Sequence, residues 1–69
     1  MQINRVALQV IRERSGMSRT ALAEAAGISI AYVSQIEAGK RNPQPDVVQR
    51  IAQALACPVV AILAVEAAA

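Results

Sequence analysis

Residues 18–37, Ser-Arg-Thr-Ala-Leu-Ala-Glu-Ala-Ala-Gly-Ile-Ser-Ile-Ala-Tyr-Val-Ser-Gln-Ile-Glu, leave a chain of 69 residues few ways to fold. Ser18 and Ser29 each stand before a stretch of helical period, where a serine hydroxyl accepts from the open backbone N–H groups of a helix start. Only Gly27-Ile28-Ser29 separates the two stretches. Glycine tolerates the positive φ that stops a helix, and the serine starts the next one. The segment therefore predicts two short helices joined by a tight turn, with Ile28 anchoring the turn in the core.

The rest of the chain must supply a core for that unit. Length sets one domain, expected over residues 1–66 with 67–69 as a frayed tail. Apolar residues make up 55% of the chain, yet Phe and Trp are absent and there is one Tyr. The core is thus built from Ala, Val, Ile and Leu, which suits closely spaced helices. Strand-like alternation is missing, and Gly and Pro fall at breaks between helical stretches.

A first helix is expected over about residues 4–14, with Asn4 as its cap and Ser15-Gly16 as its end. Leu8 and Ile11 share its buried face with Ile3 or Ala7, and Met17 follows as a buried staple. The second helix covers 19–26, with Leu22 and Ala23 inward and Ala26 small enough for close approach. The third covers about 30–38 and stops at Gly39. Lys40-Arg41-Asn42-Pro43 forms a loop. Gln44, Pro45 and Asp46 then open a fourth helix, with proline in the first turn and an acid near the positive helix end. Val48, Ile51, Ala52 and Leu55 point inward from it, and Cys57-Pro58 breaks it. A short fifth helix is expected over 59–65. The fold class is all-α, a compact five-helix bundle.

Stepping about 100° per residue around the third helix separates a core arc from an outer one. Val33 and Ile36 lie on the first; Ala31, Ser34 and Gln35 lie on the second, flanked by Ile30 and Tyr32. Plain solvated helices carry Lys and Glu pairs, and this face has none. A small face of mixed polarity can enter a DNA major groove. There Gln35 can bond adenine N6 and N7, Ile30 and Ala31 can touch thymine methyls, and Ser29 and Ser34 can reach a base edge or phosphate. Ser18, Arg19, Tyr32, Lys40, Arg41 and Asn42 are the candidate phosphate contacts; for Lys40 and Arg41, ordinary loop charge is a live alternative.

Charge supports this reading. The net charge is +2, every Lys and Arg precedes residue 51, and only Glu66 is charged after Arg50. One end of the molecule suits a polyanion and the other a protein. In the last third, Ile62 points inward. Val59, Val60, Leu63 and Val65 then make an apolar surface expected to meet a second copy of the chain. Arg12 follows the buried Ile11, and Glu37 follows the buried Ile36. The two are expected to form a partly buried ion pair between the first and third helices.

The run from Ser18 to Pro43 resembles the Cro/C1-type helix-turn-helix family, the XRE family of repressors. The similarity extends to Val48, Ile51, Ala52 and Leu55 in the fourth helix and covers nearly the whole chain. It implies a five-helix bundle of the lambda-repressor-like type with the helix-turn-helix at helices two and three. It further implies double-stranded DNA as partner and a homodimer on a palindromic operator, commonly as a transcriptional repressor. Ile30, Ala31 and Gln35 fall at the family's base-reading positions, Arg19 falls where many members carry a phosphate-contacting Gln, and Arg12 and Glu37 fall at a structural Arg–Glu pair. The chain departs from the pattern at Ile30-Ala31, where several members are more polar. It departs again at Ala56, where a Gly commonly ends helix four, and at Val60-Ala61, where acids are frequent. The basic N-terminal arm of some phage repressors is missing.

Other classes fit less well. With no His and no carboxylate pair beside a nucleophile, an enzyme is not expected. Cys57 is the lone cysteine, which excludes an internal disulfide and a zinc site built on thiolates. No cofactor or small-molecule ligand is expected. The apolar run over 54–65 is too short to span a bilayer, and no secretory leader pattern is present, so a cytoplasmic protein is expected. An antitoxin or other interaction module, whose apolar C-terminal part covers a different protein, is the alternative.

Overall fold

Asn4, Ser18 and Ser29 start three of the four α-helices in the same way. Each side-chain oxygen accepts the backbone N–H three residues on, from Ala7, Ala21 and Tyr32 respectively, at 3.0–3.1 Å. In the computed structural model, which describes residues 2–63, the helices are α1 (Arg5–Arg14), α2 (Arg19–Ala26), α3 (Ile30–Glu37) and α4 (Pro45–Ala54). Before α4, Gln44 makes no side-chain cap. Pro45 instead sits in the first turn, where its missing N–H has no partner to lose, beside Asp46.

All four helices also stop alike. A residue two or three positions past each end donates its N–H to a carbonyl five residues back: Met17 to Arg12, Ile28 to Ala23, Lys40 to Gln35 and Cys57 to Ala52, at 2.9–3.1 Å. This closure needs a left-handed residue just before the donor. Glycine fills that place at residues 16, 27 and 39. At the fourth it is Ala56, with φ +52°. The turn where the sequence departs from the family's glycine is therefore built in the usual geometry, with a methyl group where none is comfortable. It also ends α4 earlier than Cys57-Pro58 would, at Ala54.

Leu8, Leu22, Val33, Ile36, Val48, Ile51 and Ile62 are fully buried, and Ala23, Ala26 and Ala52 let the helices approach closely. Packing α2 against α3 and α4 buries one side of the unit, and α1 closes over α3. Ile3 joins the core, and Ala7 is half-buried. Val47, which the helical period did not single out, is also buried. Cys57 is half-buried against the core, and burial pushes its thiol up from the ordinary value, so the reactive thiolate is disfavoured at neutral pH.

The expected fifth α-helix is a correction. After Pro58 the chain makes a single 3₁₀ turn, Val59–Ile62, and Leu63 is already extended. Pro58 sets an extended entry, two β-branched residues follow, and Leu63 pairs with Ile3 in an antiparallel bridge. Val59 and Leu63 are half-buried against the core, Val60 is 62% exposed, and Val65 and the 67–69 tail lie outside the described residues.

Residues 3–5 are tied to both the 3₁₀ turn and the loop after α3. Asn4 N–H donates to the Ile62 carbonyl at 2.8 Å, and Ile3 N–H donates to Asn42 Oδ1 at 3.2 Å. Arg5 Nη1 donates to the Ala38 carbonyl at 3.1 Å, placing a cation on the negative end of α3.

Ala56→Gly should raise stability by about 1 kcal/mol, because relief of the left-handed alanine exceeds glycine's added unfolded-state entropy. Urea unfolding should show a higher midpoint at unchanged slope. An unchanged or lower midpoint would mean that Ala56 carries no strain.

Candidate nucleic-acid interface

The geometry of α3 separates its two faces cleanly. Val33, Ile36 and Glu37 are buried. On the other side Ala31 and Gln35 are exposed, Ile30 is 47% exposed, and Ser34 and Tyr32 are half-buried. The outward surface near the start of α3 is therefore Ser29, Ile30, Ala31 and Gln35, with Ser34 at its margin. Ser18 and Ser29 spend a lone pair on their caps, and each hydroxyl keeps its hydrogen to donate. Both lie on the surface at a helix start, where backbone N–H groups and the helix dipole favour an anion.

Cations flank this surface. Arg19 is the first residue of α2, and its side chain is 50% exposed. Lys40 and Arg41 are exposed in the loop after α3. The Arg41 guanidinium lies 5.7 Å from the Tyr32 ring centroid, close enough for a cation–π contact that joins the loop to α3. Asn42, expected on phosphate, accepts the Ile3 N–H at its Oδ1 and so fastens the loop to the N-terminal segment. Arg5, which the sequence reading did not single out, reaches the same loop and lines an open groove with Lys40 and Arg41. Its sequence separation of 33 residues from Ala38 leaves no local signal.

Arg12 and Glu37 meet beneath this surface in a two-point pair. Nε donates to Oε2 at 2.6 Å and Nη2 to Oε1 at 3.2 Å. Arg12 Nη1 also donates to the Met17 carbonyl at 2.9 Å. The two side chains are 10% and 2% exposed, so the pair is buried more deeply than the sequence reading expected. Arg19 adds a third member, its Nε donating to Glu37 Oε1 at 3.1 Å. Sequence reasoning missed this contact, since it read Arg19 only as a phosphate contact. Among the described residues no buried side-chain nitrogen or oxygen lacks a partner.

Comparison with known proteins gives a consistent result. A family model described as helix-turn-helix matches residues 8–62. An uncharacterised HTH-type transcriptional regulator of Mycobacterium tuberculosis is 48% identical over 44 residues, which are 64% of this chain and 31% of that protein. The chain thus spans about a third of the length of the curated relatives it matches. Among solved structures, the restriction-modification controller protein C.AhdI from Aeromonas hydrophila superposes with a TM-score of 0.81 at 28% identity, over 83% of this chain and 86% of that one. The clp gene regulator ClgR from C. glutamicum gives 0.76 at 28% identity, over 81% and 73%. The hypothetical transcription factor NHTF from Neisseria gives 0.82 at 25% identity, over 87% and 69%.

Removing Glu37 leaves the buried Arg12 guanidinium without a carboxylate, whereas removing Arg12 leaves Glu37 with Arg19 still on Oε1. Glu37→Ala should cost about 3–5 kcal/mol and Arg12→Ala less, and Arg12→Met with Glu37→Leu should cost less than Glu37→Ala. Denaturant unfolding of the three variants checks this. Single variants within about 0.5 kcal/mol of the parent, with no coupling, would reduce the pair to unrelated charges.

Proposed function

We propose that this chain, which belongs to the Cro/C1-type (XRE) helix-turn-helix family, is a sequence-specific regulator of transcription that binds double-stranded DNA. In this reading it is a repressor acting as a homodimer on a palindromic operator. The observation that carries the proposal is the outward face of α3. Ile30, Ala31 and Gln35 stand exposed on a helix whose other side is locked in the core. Arg19, at the start of α2 and bonded to Glu37, and Lys40 and Arg41, in the loop after α3, supply exposed cations. A helix with small outward side chains, together with these cations, suits a major groove and its phosphate strands. The relatives are named as regulators and a controller protein, which agrees.

In this scheme Gln35 reads a base, Ile30 and Ala31 sense thymine methyls, and Ser29 and Ser34 bond a base edge or phosphate. Ser18, Arg19, Tyr32, Lys40, Arg41 and Asn42 take phosphates, and Asn42 acts mainly by holding the loop. The C-terminal turn supports the homodimer. Val60 is 62% exposed, with Val59 and Leu63 beside it at half burial. A two-fold contact there, with Val65 as its expected continuation, would set two α3 helices about 34 Å apart, one turn of DNA. The same exposed valine favours a second reading, in which this end covers a different protein.

Selection from random duplexes should yield a palindromic site. On that site Gln35→Ala should cost about 1–3 kcal/mol per reading head and relax preference at one position, with binding to random DNA unchanged. An equal loss on both DNAs would contradict a reading role.

Val60→Glu should give a folded monomer with weakened operator affinity. A parent chain that sediments as a monomer at micromolar concentration, or a variant that stays dimeric, would overturn the self-contact. Stable co-purification with a different chain would then favour the second reading.

A further inference from the structure

The Glu37 carboxylate holds two guanidiniums, and only one of them belongs to a closed pair. Arg12 is buried with it and engages both its oxygens. Arg19 engages Oε1 through Nε alone, while its side chain is half exposed. Counting formal charges, two cations face one anion, and the surplus positive charge is carried by the member that reaches solvent. That member stands at the start of α2, beside the exposed Ser18 hydroxyl.

We propose that Glu37 is a positioning residue for DNA: the buried carboxylate fixes Arg19 by its Nε, so that the terminal Nη groups are pre-aimed at a backbone phosphate. This rests on the DNA-binding reading above. It goes beyond that reading by giving a residue that cannot touch DNA a part in binding it. At 2% exposure Glu37 can act only through Arg19. The geometry demands an arginine. A guanidinium has five N–H donors in a rigid plane, so one can be spent on Glu37 while the others face outward. A lysine ammonium is a single point of charge on a flexible stem. It keeps the charge but must choose between carboxylate and phosphate. Holding the guanidinium in advance also lowers the ordering cost at the moment of binding.

The test compares Arg19→Lys and Arg19→Ala with the parent chain on its selected duplex, over a range of salt. Loss of one phosphate contact per subunit should flatten the log–log salt slope of a dimer by about 1.8 for Arg19→Ala. Arg19→Lys should keep the parent slope and still bind several-fold more weakly. Glu37→Gln should also weaken binding several-fold in the parent background and have no further effect beside Arg19→Ala. Thermal melts establish that each protein is folded at the assay temperature. A folded Glu37→Gln with parental affinity would overturn the positioning role; if that variant does not fold, parental binding by Arg19→Lys still would.

A lysine variant that binds as tightly as the parent at every salt concentration would overturn the positioning role and leave Arg19 as a phosphate contact. An alanine variant with parental affinity and slope would remove Arg19 from the interface and overturn the inference, with the base-reading role of Gln35 still standing. A chain that binds no duplex at all would overturn the functional reading together with this one.

Discussion

A buried carboxylate organises this small molecule. Its core holds no Phe or Trp, and Ala, Val, Ile and Leu pack well at many helix angles. What distinguishes one angle from another is a directional contact that tolerates little error. The Arg12–Glu37 pair supplies it, linking α1 to the end of α3 at two points. Buried ion pairs add little net stability against a well-packed apolar pair. Their effect here is selective, since a shifted helix would leave a charge in an apolar interior. Arg12 also bonds the Met17 carbonyl, so the turn into α2 is fixed by the same side chain.

What could be read from the sequence was what depends on near neighbours. Asn4, Ser18 and Ser29 announce helix starts because a cap spans three residues. Gly16, Gly27 and Gly39 announce ends for the same local reason. The division of α3 into a core side and an outer side follows from its period, and exposure matches the wheel at Ala31 and Gln35. The fifth helix failed on a contact of another kind. Its residues look helical in isolation, but Leu63 is drawn into extended pairing with Ile3, far away in sequence. Ala56 misleads in the opposite way: an alanine gives no local sign of positive φ, and only its place where the family commonly has glycine hints at the left-handed turn it makes.

The candidate site divides along the same line. The small outward residues of α3 were legible because they share one element. The attachments of Arg19 to Glu37, Arg5 to Ala38 and Asn42 to Ile3 join residues 18, 33 and 39 positions apart. All three attach side chains near the surface to the frame beneath it. Spacing alone shows which side chains could face a ligand; only the folded chain shows which of them are held still.

The ties made by Ile3, Asn4 and Arg5 bear on how the molecule is finished during synthesis. They fasten residues 3–5 both to the loop after α3 and to Ile62. On a ribosome adding about 5–20 residues per second, the helices can form as they emerge, but residues 3–5 have no complete seat until Ile62 is free. The loop carrying Lys40 and Arg41 is therefore held by residues made before it, whose own seat is complete only once Ile62 has followed. A half-made chain can contain the whole two-helix unit and still lack its finished shape.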